Sequence, residues 1–120
     1  MTTLALWILM NASIIVDWGQ TRNIATSMRE VHPYSDLCTN CGKLDYREYQ
    51  FDETGPASIV LGSHPHRDKV DAYFVGALIA NNGVMIALPK KYRPYYAGTV
   101  AAIETYFVVS NSHVGIRINF

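Results

Sequence analysis

Val70-Asp-Ala-Tyr-Phe-Val-Gly-Ala-Leu-Ile-Ala-Asn-Asn-Gly-Val-Met-Ile-Ala-Leu88 decides the reading of this chain. Arg67 and Lys69 precede it, and Pro89-Lys90-Lys91 follows it. As a helix it rises about 28 Å, close to one crossing of a hydrocarbon core about 30 Å thick. A surface helix of a soluble protein places Lys or Glu every few residues along one side. From Ala72 to Leu88 no charged residue occurs at all. The stretch therefore reads as a membrane-spanning helix. Ala72, Gly76 and Ala80 recur every four residues within it. In lipid such a small-residue stripe allows a second helix backbone to approach closely, so these three are the expected helix-packing residues.

Two further stretches resemble it. Thr2 to Trp18 holds the continuous run Leu4 to Met10 and then Ile14, Ile15 and Val16. It can continue as a helix through residue 21, with Trp18 at the interface and Arg22 snorkelling. A third helix is expected over residues 95–112. Before it, Tyr92, Tyr95 and Tyr96 stand beside Lys90, Lys91 and Arg93, a belt of aromatic and basic residues suited to a membrane boundary. Ala97 and Ala101 offer another small-residue contact there. The tail from 113 to 120 alternates apolar and polar residues and is expected to be extended. Alternation before a terminal Phe also suits the last strand of a membrane barrel, but two helix-length segments upstream exclude that architecture.

Between these stretches, residues 22–69 have the composition of a wet loop. Six of the ten Lys and Arg and seven of the ten Asp and Glu lie there, with Pro33, Gly42, Gly55 and Pro56. Leu44 to Phe51 suits a short helix. Ala57 to Gly62 is apolar but too short to span, and suits an interfacial segment or a helix start. The fold class that follows is all-α: a small membrane bundle of about three spanning helices with one long irregular polar loop, in a single domain of 120 residues. The N-terminus and the 89–94 turn then share one side of the bilayer, and the long loop and C-terminus the other. The basic turn places its side in the cytoplasm. The N-terminal stretch lacks the leading Lys or Arg of a secretory signal and reads as retained.

The net charge of zero leaves no general basic field for nucleic acid. No phosphate-binding, dinucleotide-binding, nucleophile-elbow or zinc-protease motif occurs. The polar residues inside the greasy stretches carry the chemistry instead. Asp17, Gln20 and Thr21 lie at i, i+3 and i+4, on one face of a continuing helix. Asn81 and Asn82 fall in the second helix, and Glu104 and Asn111, seven apart, on one face of the third. A carboxylate at membrane depth costs on the order of 3 kcal/mol unless neutral, paired or hydrated. The expected arrangement is an inward cluster of Asp17, Gln20, Thr21, Asn81, Glu104 and Asn111, with Glu104 bonded to Asn, Gln, Tyr or Arg of another helix. Such a cluster is either polar glue between helices, at about 1 kcal/mol per bond, or a proton, ion or ligand site.

Cys38-Thr-Asn-Cys41 is a single Cys-x-x-Cys pair. It suits a local disulfide or structural thiols, a zinc site completed by His64 and His66, or a redox pair. The His spacing fits no standard zinc finger, so no cofactor is expected beyond zinc at Cys38 and Cys41.

Asp17-Trp-Gly-Gln-Thr-Arg22, Leu61-Gly-Ser-His-Pro65 with Val70-Asp-Ala-Tyr-Phe74, and Glu104 with Asn111 and Val114-Gly-Ile form a recurring set. Together they resemble a family of small, uncharacterised predicted integral membrane proteins of bacteriophages and bacteria. The likeness covers both ends of the chain and leaves out residues 31–52. Where that family places an Asn-Pro-like turn before Leu-Gly, this chain reads Glu53-Thr-Gly-Pro56. The resemblance implies a bacterial inner-membrane location and no activity. The expected partners are the lipid bilayer and a second copy of the chain or another membrane protein, in a non-enzymatic role. Two alternatives stand beside it: a holin-like or ion-conducting oligomer, and a Cys/His metal or redox module in the polar loop. Many holins carry a strongly charged tail; Ser112 to Phe120 holds only Arg117.

Overall fold

The computed structural model describes residues 1–26, 28–31, 46–49, 57–62 and 65–120. Three long helices dominate: α1 (Thr3–Thr26), α3 (Arg67–Ala87) and α4 (Arg93–His113). Strands β1 (Met28–Val31) and β2 (Tyr46–Tyr49) pair antiparallel, with Met28 opposite Tyr49 and Val31 opposite Tyr46. A single short helical turn, α2 (Ser58–Leu61), precedes α3. The strand at Tyr46–Tyr49 corrects the expected helix over Leu44 to Phe51. Tyr46 and Tyr49 are residues that favour strands, and pairing with β1 gives the backbone of β2 hydrogen-bond partners.

Local chemistry sets the ends of the long helices. Pro89 forces Leu88 into an extended conformation (φ −68°, ψ 142°) and so stops α3. Arg93 then reaches back and donates from Nε to Leu88 O and from an Nη to Ile86 O, at 2.9 and 3.0 Å, filling carbonyls the helix end leaves open. Pro94 sits in the first turn of α4, where its missing N–H costs nothing. Gly115, at φ 90°, closes α4 in a Schellman motif. Its N–H donates to Ser112 O at 3.1 Å and that of Ile116 to Asn111 O at 3.0 Å. Ile116 is buried beneath the turn.

The central element is α1. It runs parallel to α4, with Leu6 near Gly98 at one end and Gln20 against Ser112 at the other. It runs antiparallel to α3, with Trp7 against Asn82 and Trp18 against Asp71. The N-terminus and the 89–94 turn therefore lie at one end of the bundle, and the start of α3 and the C-terminal tail at the other. The apolar core is thin: Met10, Ile14, Val70, Phe74, Met85, Ala97 and Ala101. The alanines let α4 lie close against α1, the small-residue contact expected of them.

The Ala72, Gly76 and Ala80 stripe behaves differently. All three are exposed on α3, and a methyl added at Gly76 or at Gly83 meets nothing within 4 Å. Among the described residues the stripe is not a helix-packing contact. What faces α1 from α3 is Val70, Phe74 and Met85, together with Asp71 and Asn82. Large apolar residues stand outside instead: Leu4, Ile8, Ile15, Ile79, Ile86 and Tyr106 are all exposed. Among the described residues, one helix, Arg67–Ala87, is long and apolar enough to cross a membrane.

Candidate functional site: a polar interior

The bundle turns its polar side chains inward. Gln20 and Thr21 are 2% and 0% exposed, and Asp17, Asn81, Asn82, Glu104 and Asn111 are half-buried. Among the described residues every buried side-chain nitrogen and oxygen has a partner. That matters because an unsatisfied buried polar group costs about 1–3 kcal/mol.

The cluster forms three layers along the helices. Near the 89–94 turn, Asn82 Nδ2 donates to Asn11 Oδ1 at 2.7 Å, and Trp7 Nε1 donates to Asn82 Oδ1 at 2.6 Å. Beside them Tyr96 Oη donates to Asn81 Oδ1 at 2.7 Å, joining α3 to α4. The middle layer joins α1 to α4. The Glu104 side chain hydrogen-bonds that of Asp17. This differs from the expected Asn, Gln, Tyr or Arg partner; parallel packing of α1 on α4 brings the two carboxyl groups face to face.

One turn further on, Asn111 Nδ2 reaches Gln20 Oε1 at 3.3 Å and Asp17 Oδ1 at 3.4 Å. Gln20 Nε2 donates to Ser112 Oγ at 2.9 Å and to Val108 O at 3.1 Å. Asp17, Gln20, Glu104 and Asn111 thus form one continuous network. Asn81 and Asn82 belong to a separate layer, and Thr21 is buried beside Gln20.

At the far end Trp18 Nε1 and an Arg22 Nη both donate to Asp71 Oδ1, at 2.8 and 3.0 Å. Arg22 is an ion-paired residue, 12% exposed, and not the snorkelling cation expected. The Arg22 guanidinium also lies 5.7 Å from the centre of the Phe120 ring. Trp18 stacks on Phe74 and meets Phe120 edge-on. The tail crosses α1 at Gly19, where Asn119 N–H donates to Gly19 O at 3.0 Å.

Sequence reasoning missed Trp7, Asn11, Trp18, Asp71, Tyr96 and Ser112 as members of these layers. Asp71 carried a signal: it is the only acidic residue of α3 beyond the first turn. Cys38, Cys41 and His64 lie outside the described residues. His66 is exposed at the N-terminal boundary of α3. No group of three or more His, Cys, Asp or Glu side chains able to hold a metal ion occurs among the described residues.

Residues 17–22 contact Asp71 and Phe74 on one side and Asn111 on the other, with Glu104 at Asp17. Comparison of the chain with protein-family models, curated proteins and solved structures gives no match.

Proposed function

We propose that the chain is a small integral membrane protein of three spanning helices, α1, α3 and α4, without catalytic activity, that assembles with a second copy or with another membrane protein in a bacterial inner membrane. The observation that carries this reading is the inverted distribution of polarity. Amides, carboxyls and an ion pair are directed between helices, while Leu4, Ile8, Ile15, Ile79, Ile86 and Tyr106 are exposed. In water that arrangement is unfavourable. In lipid it is the expected one, because the tails compete for no polar group and the helices are joined by packing and hydrogen bonds. The 21 residues of α3 rise about 31 Å, enough for the hydrocarbon core. The polar network acts as glue between helices.

The assembly surface is the outer face of α3. Ala72, Gly76, Ala80, Gly83 and Ala87 line it at spacings of three and four, all exposed, beside Val75, Ile79 and Ile86. The test has two steps. Carbonate washing of cell membranes is expected to leave the protein in the pellet; recovery as a monomer from detergent-free buffer rejects the membrane reading. Gly76→Leu is then expected to reduce crosslinked species in mild detergent. The new side chain meets open space in the isolated chain, so its own fold is unaffected. Crosslinking equal to the parent rejects α3 as the assembly face.

A further inference from the structure

At the end of the bundle holding the start of α3, Arg22, Thr26, Arg67, Asn119 and Phe120 enclose a cavity of about 40 Å³. At 10–15 Å³ for each water-sized group, it admits about three, room for the two free oxygens of a phosphodiester. Among the described residues lining it, Arg22 and Arg67 carry a guanidinium and none is an Asp or Glu. The charge of Arg22 is offset by Asp71 at 3.0 Å, while Arg67 is exposed and brings a further positive charge. Arg67 is also the first residue of α3, whose N-cap, His66, makes no side-chain capping bond. The N-terminal end of that helix adds positive potential there, opposed in part by Asp68 in its first turn. Thr26 and Asn119, joined at 3.3 Å, supply neutral polar atoms to the wall, and the Phe120 ring supplies an apolar one.

We infer that this cavity is a binding site for a phosphate ester anion, taken by the Arg67 and Arg22 guanidinium groups. Guanidinium is the group best matched to phosphate, through paired N–H donors in one plane. The lipid source of that phosphate rests on the membrane reading above: the cavity lies at a bundle end, beyond Trp18 along α1, on the side where that reading puts the headgroup of an anionic lipid. The phosphate chemistry itself rests on the cavity alone.

The test uses the full chain in mild detergent. Native mass spectrometry compares retention of phosphatidylglycerol with phosphatidylcholine, and Trp18 fluorescence follows titration with inorganic phosphate. The expected result is preferential retention of phosphatidylglycerol, lowered about tenfold in Arg67→Gln and weakened by salt. Arg67→Gln changes an exposed residue, so loss of fold does not explain the effect; an unaltered helical circular dichroism spectrum checks it. Binding of inorganic phosphate with equal retention of both lipids, and its loss in Arg67→Gln, keeps the site and assigns it to free phosphate. Equal retention of both lipids with no response to phosphate, or full binding by Arg67→Gln, overturns the inference. Carbonate extraction scores the membrane reading separately, so the two can fail independently.

Discussion

Asn82 donates from Nδ2 to Asn11 Oδ1 at 2.7 Å, and Asn11 Nδ2 returns towards Asn82 Oδ1 at 3.4 Å, so that one amide pair binds α3 to α1. Trp7 Nε1 shares the Asn82 oxygen at 2.6 Å. Replacing Asn82 by Leu therefore leaves the Trp7 indole N–H and Asn11 Oδ1 without these partners, while Asn11 Nδ2 keeps Trp7 O at 2.9 Å. The expected cost is about 1–3 kcal/mol, read as a lower unfolding midpoint in detergent. The double change Asn11→Leu with Asn82→Leu is expected to cost less than the two single changes together, because it removes both amides. Additive costs reject the pair as a coupled unit.

The Arg22 and Asp71 pair makes a similar argument with charge. Asp71→Ala strands an Arg22 that is 12% exposed and frees the Trp18 indole. Asp71 itself is 32% exposed, so solvent screens part of the attraction. The expected loss is about 1–3 kcal/mol, accompanied by a shift in Trp18 emission. Arg22→Gln is expected to cost less than Asp71→Ala, because Trp18 still donates to the carboxylate. The reverse order in thermal unfolding counts against Asp71 as the shared acceptor.

Much of the architecture could be read from charge-free length. All but the last residue of the stretch from Val70 to Leu88 falls within α3, and 95–112 falls within α4, because nothing that ends a helix occurs inside them. The sequence also marked Glu104, Asp17, Gln20 and Asn111 as polar residues within apolar stretches, and the helices bring these four together. Which residues meet was not legible. Asp17 faces Glu104 because of the register of α1 on α4, a relation between residues far apart in sequence. The direction of the Ala72, Gly76 and Ala80 stripe was equally hidden. Small residues permit close approach on any face, and only the larger Phe74 and Met85 fixed which side of α3 met α1.

Glu104 supplies a sharper test of the interior. In Glu104→Gln an amide N–H can donate to the Asp17 carboxylate, whereas Glu104→Leu removes that side-chain partner from Asp17. Glu104→Gln is expected to retain parental stability within about 1 kcal/mol, and Glu104→Leu to lose more, measured by thermal unfolding in detergent. If the interior instead serves proton movement, Glu104→Gln keeps the fold but abolishes any proton flux in vesicles. Flux by the parent that the Gln variant lacks therefore favours the ion-conducting alternative over glue.

Gly19 governs the tail. A methyl built there stands 2.6 Å from Ile118 Cγ2 and 2.7 Å from Phe120 Cε2. The Phe120 ring edge can swing aside, but Ile118 Cγ2 is attached at the branch next to the backbone and cannot move without the chain. That chain is held by Asn119 N–H on Gly19 O at 3.0 Å, and its course is set by the turn at Gly115. Gly19→Ala is therefore expected to lift residues 117–120 from α1 while leaving the helices in place. Hydrogen exchange should quicken at Asn119, and Trp18 should lose its edge contact with Phe120 and change its emission. The cavity beside Arg22 loses two of its walls, Asn119 and Phe120, in the same step, so phosphate binding should weaken with it. Unchanged exchange at Asn119 in the alanine variant rejects the close approach at Gly19 as what holds the tail.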